Sequence, residues 1–315
     1  MLRLFKNKKS QHKFENDGYI TTQLLNYNDI TELLRFYIRL DKTYVNNRVF
    51  HSTTFNKDPN YSKVIVSKLK DFIVPKIDKI IENYRVIIGG FIVKEPSSNG
   101  IIPPHQDWTF VNEEKYYSIN IWIPLQDVDI NNGTLGIIDG SQDMFKSIRG
   151  SPNPQFKTAL GQINMDLFPF LNIKSLKAGE AIIYDTKIIH GSTANLTNDS
   201  RVAVGLCLTS ETADLYHWYL SPEKNSNTII KYKVDENFFS TYNNDKLYSY
   251  YLTKKYPNQF AEKIDEKKLA SRFLDPRDII KKITSIKSNQ WNEKLANLIE
   301  DITPEKFGLR PDLQS

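Results

Sequence analysis

Two segments of the chain alternate between apolar and polar or small side chains, as strands with one buried face do. Residues 117–125 place aliphatic side chains on one face and Ser118, Asn120 and Trp122 on the other. Residues 201–208 repeat the pattern, with valine and leucine opposite small side chains. Successive residues of a strand point to opposite faces. The pattern therefore predicts a sheet with an apolar core on one side and a ligand cavity on the other.

The remaining elements follow from periodicity and turn residues. Apolar residues at helical spacing predict two helices before the strands, and Pro75 is expected to kink or split the second. Residues 1–13 are polar and basic, which predicts a frayed terminus. The predicted helices cover residues 28–41 and 61–84, and the other predicted strands cover residues 85–93, 134–138 and 181–185.

Two long segments lie outside this strand pattern. Residues 139–178 have weak periodicity with several glycines and prolines, which is typical of a lid or binding loop. Residues 216–315 are rich in tyrosine, lysine and asparagine. We predict that they form an ordered helical extension. Its amphipathic stretches lie at about residues 243–256, 259–273, 276–287 and 290–302.

Two histidines and one aspartate carry the candidate chemistry. His105 and Asp107 are two residues apart, so on a strand both side chains reach the same side. His190 adds a second imidazole if the fold brings its strand alongside. Two histidines and one carboxylate are the ligand set of non-haem Fe(II) oxygenases. Arg201 follows, and its guanidinium suits a two-point grip on a carboxylate.

Each of these residues alone is more often structural than functional. Their order along the chain and the alternating strands around them make the combined pattern stronger. Composition agrees, because the net charge of +5 is concentrated in the first hundred residues and residues 101–210 are net acidic. An acidic middle segment suits a cation and argues against a nucleic-acid groove. The basic first third either forms a solvated surface or attracts an anionic substrate or partner.

The 315 residues are enough for one large domain or two small ones, with 40% apolar and 25% charged residues. The single cysteine, Cys207, excludes an intramolecular disulfide and a thiolate metal cluster, and it fits a reducing compartment. The basic first ten residues are followed by no apolar run, and no stretch has 18 consecutive apolar residues. We therefore expect a cytoplasmic protein without a signal peptide or membrane span.

The sequence resembles the phytanoyl-CoA dioxygenase-like (PhyH) branch of the Fe(II)/2-oxoglutarate-dependent oxygenases. The resemblance covers roughly residues 14–215 and leaves the last hundred unmatched. Its motifs are Phe14–Ile20, His105-Gln106-Asp107, Asn120–Asp127, Asn132–Leu135, Asp139-Gly140-Ser141, and His190-Gly191-Ser192 with Asn195 and Arg201. It implies a mainly β fold with flanking helices, built on a cupin-like, jelly-roll double-stranded β-helix. We expect this domain, with its N-terminal helices, to span residues 1–215, and the helical extension to pack on it.

The resemblance also implies residue roles. The implied Fe(II) ligands are His105, Asp107 and His190. The implied 2-oxoglutarate residues are Arg201 and Ser192, which would bind the distal carboxylate, and Gln106, Asn120 and Trp122, which would line the pocket. Candidates for substrate contact are Trp108, Phe110, Tyr117 and Arg149.

The implied activity is hydroxylation of an unactivated C–H bond, with O2 consumed and 2-oxoglutarate converted to succinate and CO2. Ascorbate would serve as reductant in vitro. Asp107 favours hydroxylation, because related halogenases have a small residue in place of the carboxylate. Desaturation, ring formation, epimerisation and a catalytically silent binding module remain alternatives. The substrate is expected to be a small molecule or a group bound to a carrier protein, and the extension could close the pocket, contact a carrier or form a homodimer.

Overall fold

The computed structural model describes residues 3–45, 48–145, 147–150, 160–223, 226–256, 261–269 and 275–300. The helices are α1 (Lys8–Asp17), α2 (Tyr27–Ile38), α3 (Pro59–Ile77), α4 (Glu236–Thr241), α5 (Asn244–Leu252), α6 (Pro276–Thr284) and α7 (Glu293–Glu300). The strands are β1 (Tyr19–Gln23), β2 (Phe50–Ser52), β3 (Tyr84–Lys94), β4 (Ile102–His105), β5 (Ser118–Pro124), β6 (Leu135–Ile137), β7 (Asn172–Ile173), β8 (Glu180–Asp185), β9 (His190–Ser192), β10 (Arg201–Ser210), β11 (Leu215–Leu220), β12 (Thr228–Val234) and β13 (Ala261–Lys268).

Two antiparallel sheets form the core of the molecule. The larger has six strands in the order β1-β8-β5-β10-β3-β2, and the smaller has four in the order β4-β9-β6-β7. Strands that are distant in sequence alternate within each sheet, which is the arrangement of a jelly roll. The predicted double-stranded β-helix is confirmed.

The larger sheet has the two-sided character that the alternation predicted. The aliphatic residues of β5 and β10 join one apolar core with the buried faces of α2 and α3, including Leu33 and Leu69. The opposite face supplies Trp122 and Ala203 to a second core between the two sheets. The predicted second helix is continuous through Pro75 and ends at Ile77, because the proline lies in its last turn.

The prediction of a frayed N-terminal segment is wrong. Asn7 caps α1 by accepting hydrogen bonds from the backbone at Lys9 and Ser10, and Gly18 ends the helix at a φ of 81°. Phe5 is fully buried and pairs with Ile81 in an isolated β-bridge. Apolar anchors among the polar residues therefore order this segment.

The prediction that the extension is wholly helical is also wrong. Strands β11, β12 and β13 form a separate three-stranded antiparallel sheet, and β13 lies inside the helix predicted at 259–273. Its charged sequence has no strong strand preference of its own, so pairing with β12 decides the conformation. The ends of the helices predicted over 259–273 and 290–302, and residues 146 and 151–159 of the 139–178 insertion, lie outside the described residues.

The last part of the chain packs on the jelly roll at two places. Phe239 of α4 meets Phe110 edge to face at 5.5 Å between ring centroids. Asn289 is fully buried and exchanges two hydrogen bonds with the backbone of Asp139, at 2.9 and 2.8 Å. Among the described helices, none is long and apolar enough to cross a membrane.

Candidate metal centre

The structure brings the three predicted metal ligands together at one end of the smaller sheet. His105 ends β4 and His190 begins β9, and the two residues are direct neighbours in the antiparallel register. Asp107 follows β4, with its backbone N–H donating to Thr186 O at 2.9 Å. One ligand atom from each of the three residues lies within 4.8 Å of the other two.

The hydrogen bonds of both imidazoles leave Nε2 free to bind a metal. His105 Nδ1 lies 2.9 Å from Pro103 O, and His190 Nδ1 lies 3.1 Å from Ile188 O. A carbonyl only accepts, so each Nδ1 donates, and in the neutral imidazole Nε2 then presents the lone pair. Burial lowers the pKa of His190 to about 4, against the attraction of Asp107. His190 is therefore neutral near pH 7, as a ligand must be.

Asn120 fixes the carboxylate of Asp107, donating from Nδ2 to Asp107 Oδ2 at 2.6 Å. The same oxygen lies 3.6 Å from His190 Nε2, and Asp107 Oδ1 lies 3.9 Å from His105 Nε2. Neighbouring ligands about 2.1 Å from one metal stand about 3 Å apart. The three donor atoms therefore stand slightly farther apart than around a bound ion. Their types fit a divalent metal that is bound by imidazole and carboxylate ligands.

A cavity of about 340 Å³ opens from these ligands between the two sheets. Its lining includes the three ligands, Arg201 and Ser192, with Asn120 and Trp122 from β5. The guanidinium of Arg201 lies over the Trp122 ring at 5.3 Å, and Nη1 donates to Ile92 O at 3.1 Å. The predicted cosubstrate residues other than Gln106 thus surround one space.

Arg201 is 2% exposed, and burial lowers its pKa to about 9, so it stays protonated at neutral pH. Its Nε–H has no acceptor among the described residues. Among the described residues, no acidic side chain forms an ion pair with the Arg201 guanidinium. The neighbouring Lys94 is fully buried and donates to the carbonyls of Ser192 and Thr193. Burial and the neighbouring charge of Arg201 lower the pKa of Lys94 well below its usual value, so Arg201 is the buried cation that favours an anionic ligand in this cavity.

Gln106 lies away from the cavity. It points to the opposite side from its two neighbours, and Nε2 donates to Lys187 O. The same alternation that joins His105 and Asp107 excludes the residue between them.

The four candidates for substrate contact divide into two pairs. Trp108 and Phe110 line the cavity. Tyr117 packs instead on Phe14 in the outer core at 5.6 Å, and its hydroxyl faces α1. Arg149 is buried behind Asp107, where Nε donates to Asp107 O at 2.6 Å. No sequence pattern indicates this position of Arg149, because it depends on where the 139–178 insertion folds back.

Tyr184 and Phe239 are two of the cavity residues that were not predicted. The Tyr184 hydroxyl lies 3.5 Å from His190 Nε2, and burial raises the pKa of this phenol well above its usual value. Alternation along β8 would have indicated it, because Ile182 and Tyr184 share the inner face. Phe239 lines the cavity from the extension, and no sequence pattern connects it to the metal ligands.

Two kinds of comparison relate the chain to known proteins. The family model for phytanoyl-CoA dioxygenase (PhyH) matches residues 35–203, more than half of the chain. A phytanoyl-CoA dioxygenase of Arabidopsis thaliana is 32% identical over 126 residues, covering 37% of this chain and 41% of that protein. A phytanoyl-CoA dioxygenase domain-containing protein 1 of Danio rerio is 27% identical over 152 residues, covering 46% and 50%. The chain thus spans about half the length of the curated relatives it matches.

Solved structures with a similar arrangement include HygX from Streptomyces hygroscopicus with nickel, 2-oxoglutarate and hygromycin B bound. It has a TM-score of 0.49 and 12% identity, covering 65% of this chain and 88% of that one. The carbocyclase SnoK from nogalamycin biosynthesis has a TM-score of 0.48 and 18% identity, covering 66% and 86%. Membership is decided by the family model, whose matched region contains the three candidate metal ligands and Arg201: the chain belongs to the phytanoyl-CoA dioxygenase (PhyH) family.

Proposed function

We propose that this protein is an Fe(II)/2-oxoglutarate-dependent dioxygenase that hydroxylates an unactivated C–H bond of a small or carrier-bound metabolite. The observation that carries the proposal is the position of the three ligands. They converge on the cavity that also contains Arg201, a buried cation without an acidic partner among the described residues. When bound, iron and 2-oxoglutarate supply an O2-dependent oxidation that converts the cosubstrate to succinate and CO2.

The protein's part in this reaction is to hold and orient. His105, Asp107 and His190 would hold the metal, and each imidazole would bind through Nε2 because its Nδ1 donates to a backbone carbonyl. Arg201 would bind the distal carboxylate of 2-oxoglutarate, and Ser192 would donate a hydrogen bond to it. A desolvated guanidinium gains most from a bidentate carboxylate, which supports this assignment.

The part of the cavity away from Arg201 indicates the chemical character of the substrate. Its wall includes Trp108, Phe110 and Phe239, with Ile88 and Cys207 beside them. The only acidic and basic side chains among the described lining residues, apart from the histidines, are Asp107 and Arg201. Burying an unpaired ammonium or carboxylate here would be costly. We infer that the oxidised portion of the substrate is neutral and apolar, and that any charged group stays outside the cavity.

The extension contributes to this wall. Phe239 belongs to α4, beyond residue 215, and packs on Phe110. We therefore propose that the extension borders the substrate cavity and helps to exclude water during turnover. Its role as a contact for a carrier protein or a second subunit stays a prediction.

Mass spectrometry tests the function directly. The protein is incubated with Fe(II), 2-oxoglutarate, ascorbate and a library of free and carrier-bound metabolites, and both succinate and product masses are followed. Hydroxylation adds one oxygen atom to the product. Loss of two hydrogens would indicate desaturation or ring formation, and an unchanged mass with inverted stereochemistry would indicate epimerisation. Metal-independent binding without succinate would support a silent binding module and contradict the proposal.

A further inference from the structure

The backbone of Asp107 is held from both sides. Its N–H donates to Thr186 O at 2.9 Å, and its carbonyl accepts from Arg149 Nε at 2.6 Å. Asn120 holds the carboxylate itself. Thr186 follows β8 and Asn120 lies in β5, so both belong to the jelly-roll framework. Arg149 comes from the 139–178 insertion, which makes it the one contact that framework packing does not provide.

Arg149 is itself fixed by a bidentate pair with Glu113. Nη1 donates to Glu113 Oε2 at 2.9 Å, and Nη2 donates to Oε1. Arg149 also exchanges backbone hydrogen bonds with Thr109: its N–H donates to Thr109 Oγ1 at 3.2 Å, and its carbonyl accepts from Thr109 N at 3.0 Å. The Arg149 side chain is 5% exposed and that of Glu113 is 15% exposed. With these donors engaged, Arg149 is directed at protein groups and away from the cavity.

The shape of the guanidinium explains why arginine suits this position. Its two terminal nitrogens face the carboxylate of Glu113, while Nε on the adjacent edge faces Asp107 O. A planar fork can serve both acceptors in one orientation. A lysine offers a single ammonium and cannot reproduce this divided contact.

We propose that Arg149, oriented by Glu113, is a positioning residue that sets the place of Asp107 in the metal centre. The inference rests on the proposed metal site and adds a requirement to it. Loss of Arg149 lets the peptide after Asp107 rotate, so its carboxylate no longer meets the two imidazoles in one fixed geometry. Outer partners of metal ligands typically account for about 10- to 100-fold in metal affinity.

Titration of the apo protein with Co(II) or Mn(II) tests this inference without any turnover. Arg149→Lys keeps a cation opposite Glu113 but removes the Nε donor. The double variant Glu113→Gln/Arg149→Met removes both charges, which avoids leaving one buried and unpaired. The control is Asp29→Asn/Lys76→Met, because that pair is also partly buried, at 2.9 Å, but lies between α2 and α3. Unfolding midpoints are measured in parallel.

We expect the metal dissociation constant to rise about 10- to 100-fold in both Arg149 variants and to stay unchanged in the control. The visible absorption of bound Co(II) should also change, since it reports ligand geometry. If Arg149→Lys unfolds, the double variant provides the same readout. Wild-type metal affinity and an unchanged Co(II) spectrum in a folded variant would overturn the inference while leaving the proposed function intact. Failure of the wild type to bind metal, or undiminished binding by His105→Ala, would instead contradict the proposed function.

Discussion

Replacement of Arg201 by lysine is expected to weaken 2-oxoglutarate binding strongly while leaving the positive charge in place. Arg201 is 2% exposed and already gives Nη1 to Ile92 O at 3.1 Å, so its remaining N–H groups form the free fork at the cavity. A lysine ammonium would have to choose between that carbonyl and the ligand. A lysine keeps the charge but loses the two-point contact, so its cost should lie toward the lower end of the range of about 2–5 kcal/mol that follows truncation of one partner of a buried charge pair. That range corresponds to roughly 30-fold to several-thousand-fold in affinity.

The assay is calorimetric titration of the Mn(II)-loaded protein with 2-oxoglutarate, together with the apparent KM in turnover. Arg85→Lys is the matched control, because Arg85 also lies in the larger sheet but outside the cavity. Its Nη1 pairs with Glu236 Oε1 at 3.4 Å. The control should bind 2-oxoglutarate as the wild type does. A dissociation constant for Arg201→Lys within about twofold of the wild-type value would refute the reasoning, and Arg201 would then be a structural residue of β10.

Four further predictions concern the candidate ligands, the extension and a buried acid. Alanine substitution of any one candidate ligand should abolish product formation; the variants are His105→Ala, Asp107→Ala and His190→Ala. The circular dichroism spectrum should stay native, because the aliphatic core lies on the other face of the sheet. Near-wild-type turnover by one variant would remove that residue from the ligand set. Asp107→Gly is not expected to chlorinate its substrate efficiently, since an open metal position does not orient the substrate for chloride transfer. A chlorinated product formed at a rate comparable to wild-type turnover would contradict this. Phe239→Leu should raise the KM for the substrate while 2-oxoglutarate affinity stays constant, and equal effects on both would contradict a role in the substrate wall. Burial raises the pKa of the Asp185 carboxyl from 3.8 to about 6. Between about pH 4 and pH 6 the folded protein therefore binds this proton more tightly than the unfolded chain does, and the free energy of unfolding falls as the pH rises through that range. In urea unfolding, Asp185→Asn should reduce this pH-dependent loss of unfolding free energy by up to about 2–3 kcal/mol. An unchanged pH dependence would count against the role of Asp185.

The sequence alone was sufficient to single out His105, Asp107 and His190, whose ligand atoms lie within 4.8 Å of one another, and to predict the two long strands beside them. His105 and Asp107 are joined by the period of a strand, which is a local property. The same rule, applied to Gln106, would have placed that residue away from the cavity. The resemblance to the family suggested it as a pocket residue, but its side chain donates to Lys187 O and is not among the residues that line the cavity.

Local patterns could not supply the contacts made by the insertion and the extension. Arg149 reaches Asp107 across 42 positions of the chain, and the 139–178 insertion that carries it has too weak a periodicity to predict its path. The conformation of β13 is decided by pairing with β12, against the helical tendency of its own residues. Phe239 reaches the cavity only because α4 packs on Phe110. Each of these outcomes depends on long-range packing.

The measurement that tests the central claim most directly is the absorption spectrum of the protein under anaerobic conditions. Fe(II) is added first and 2-oxoglutarate second, without any substrate. Chelation of Fe(II) by the oxo and carboxylate groups of 2-oxoglutarate produces a visible charge-transfer band. We predict that this band appears only when both are present, is lost in His190→Ala, and saturates at much higher 2-oxoglutarate concentration in Arg201→Lys. A folded wild-type protein that shows no such band, or a His190→Ala variant that retains it, would contradict the account.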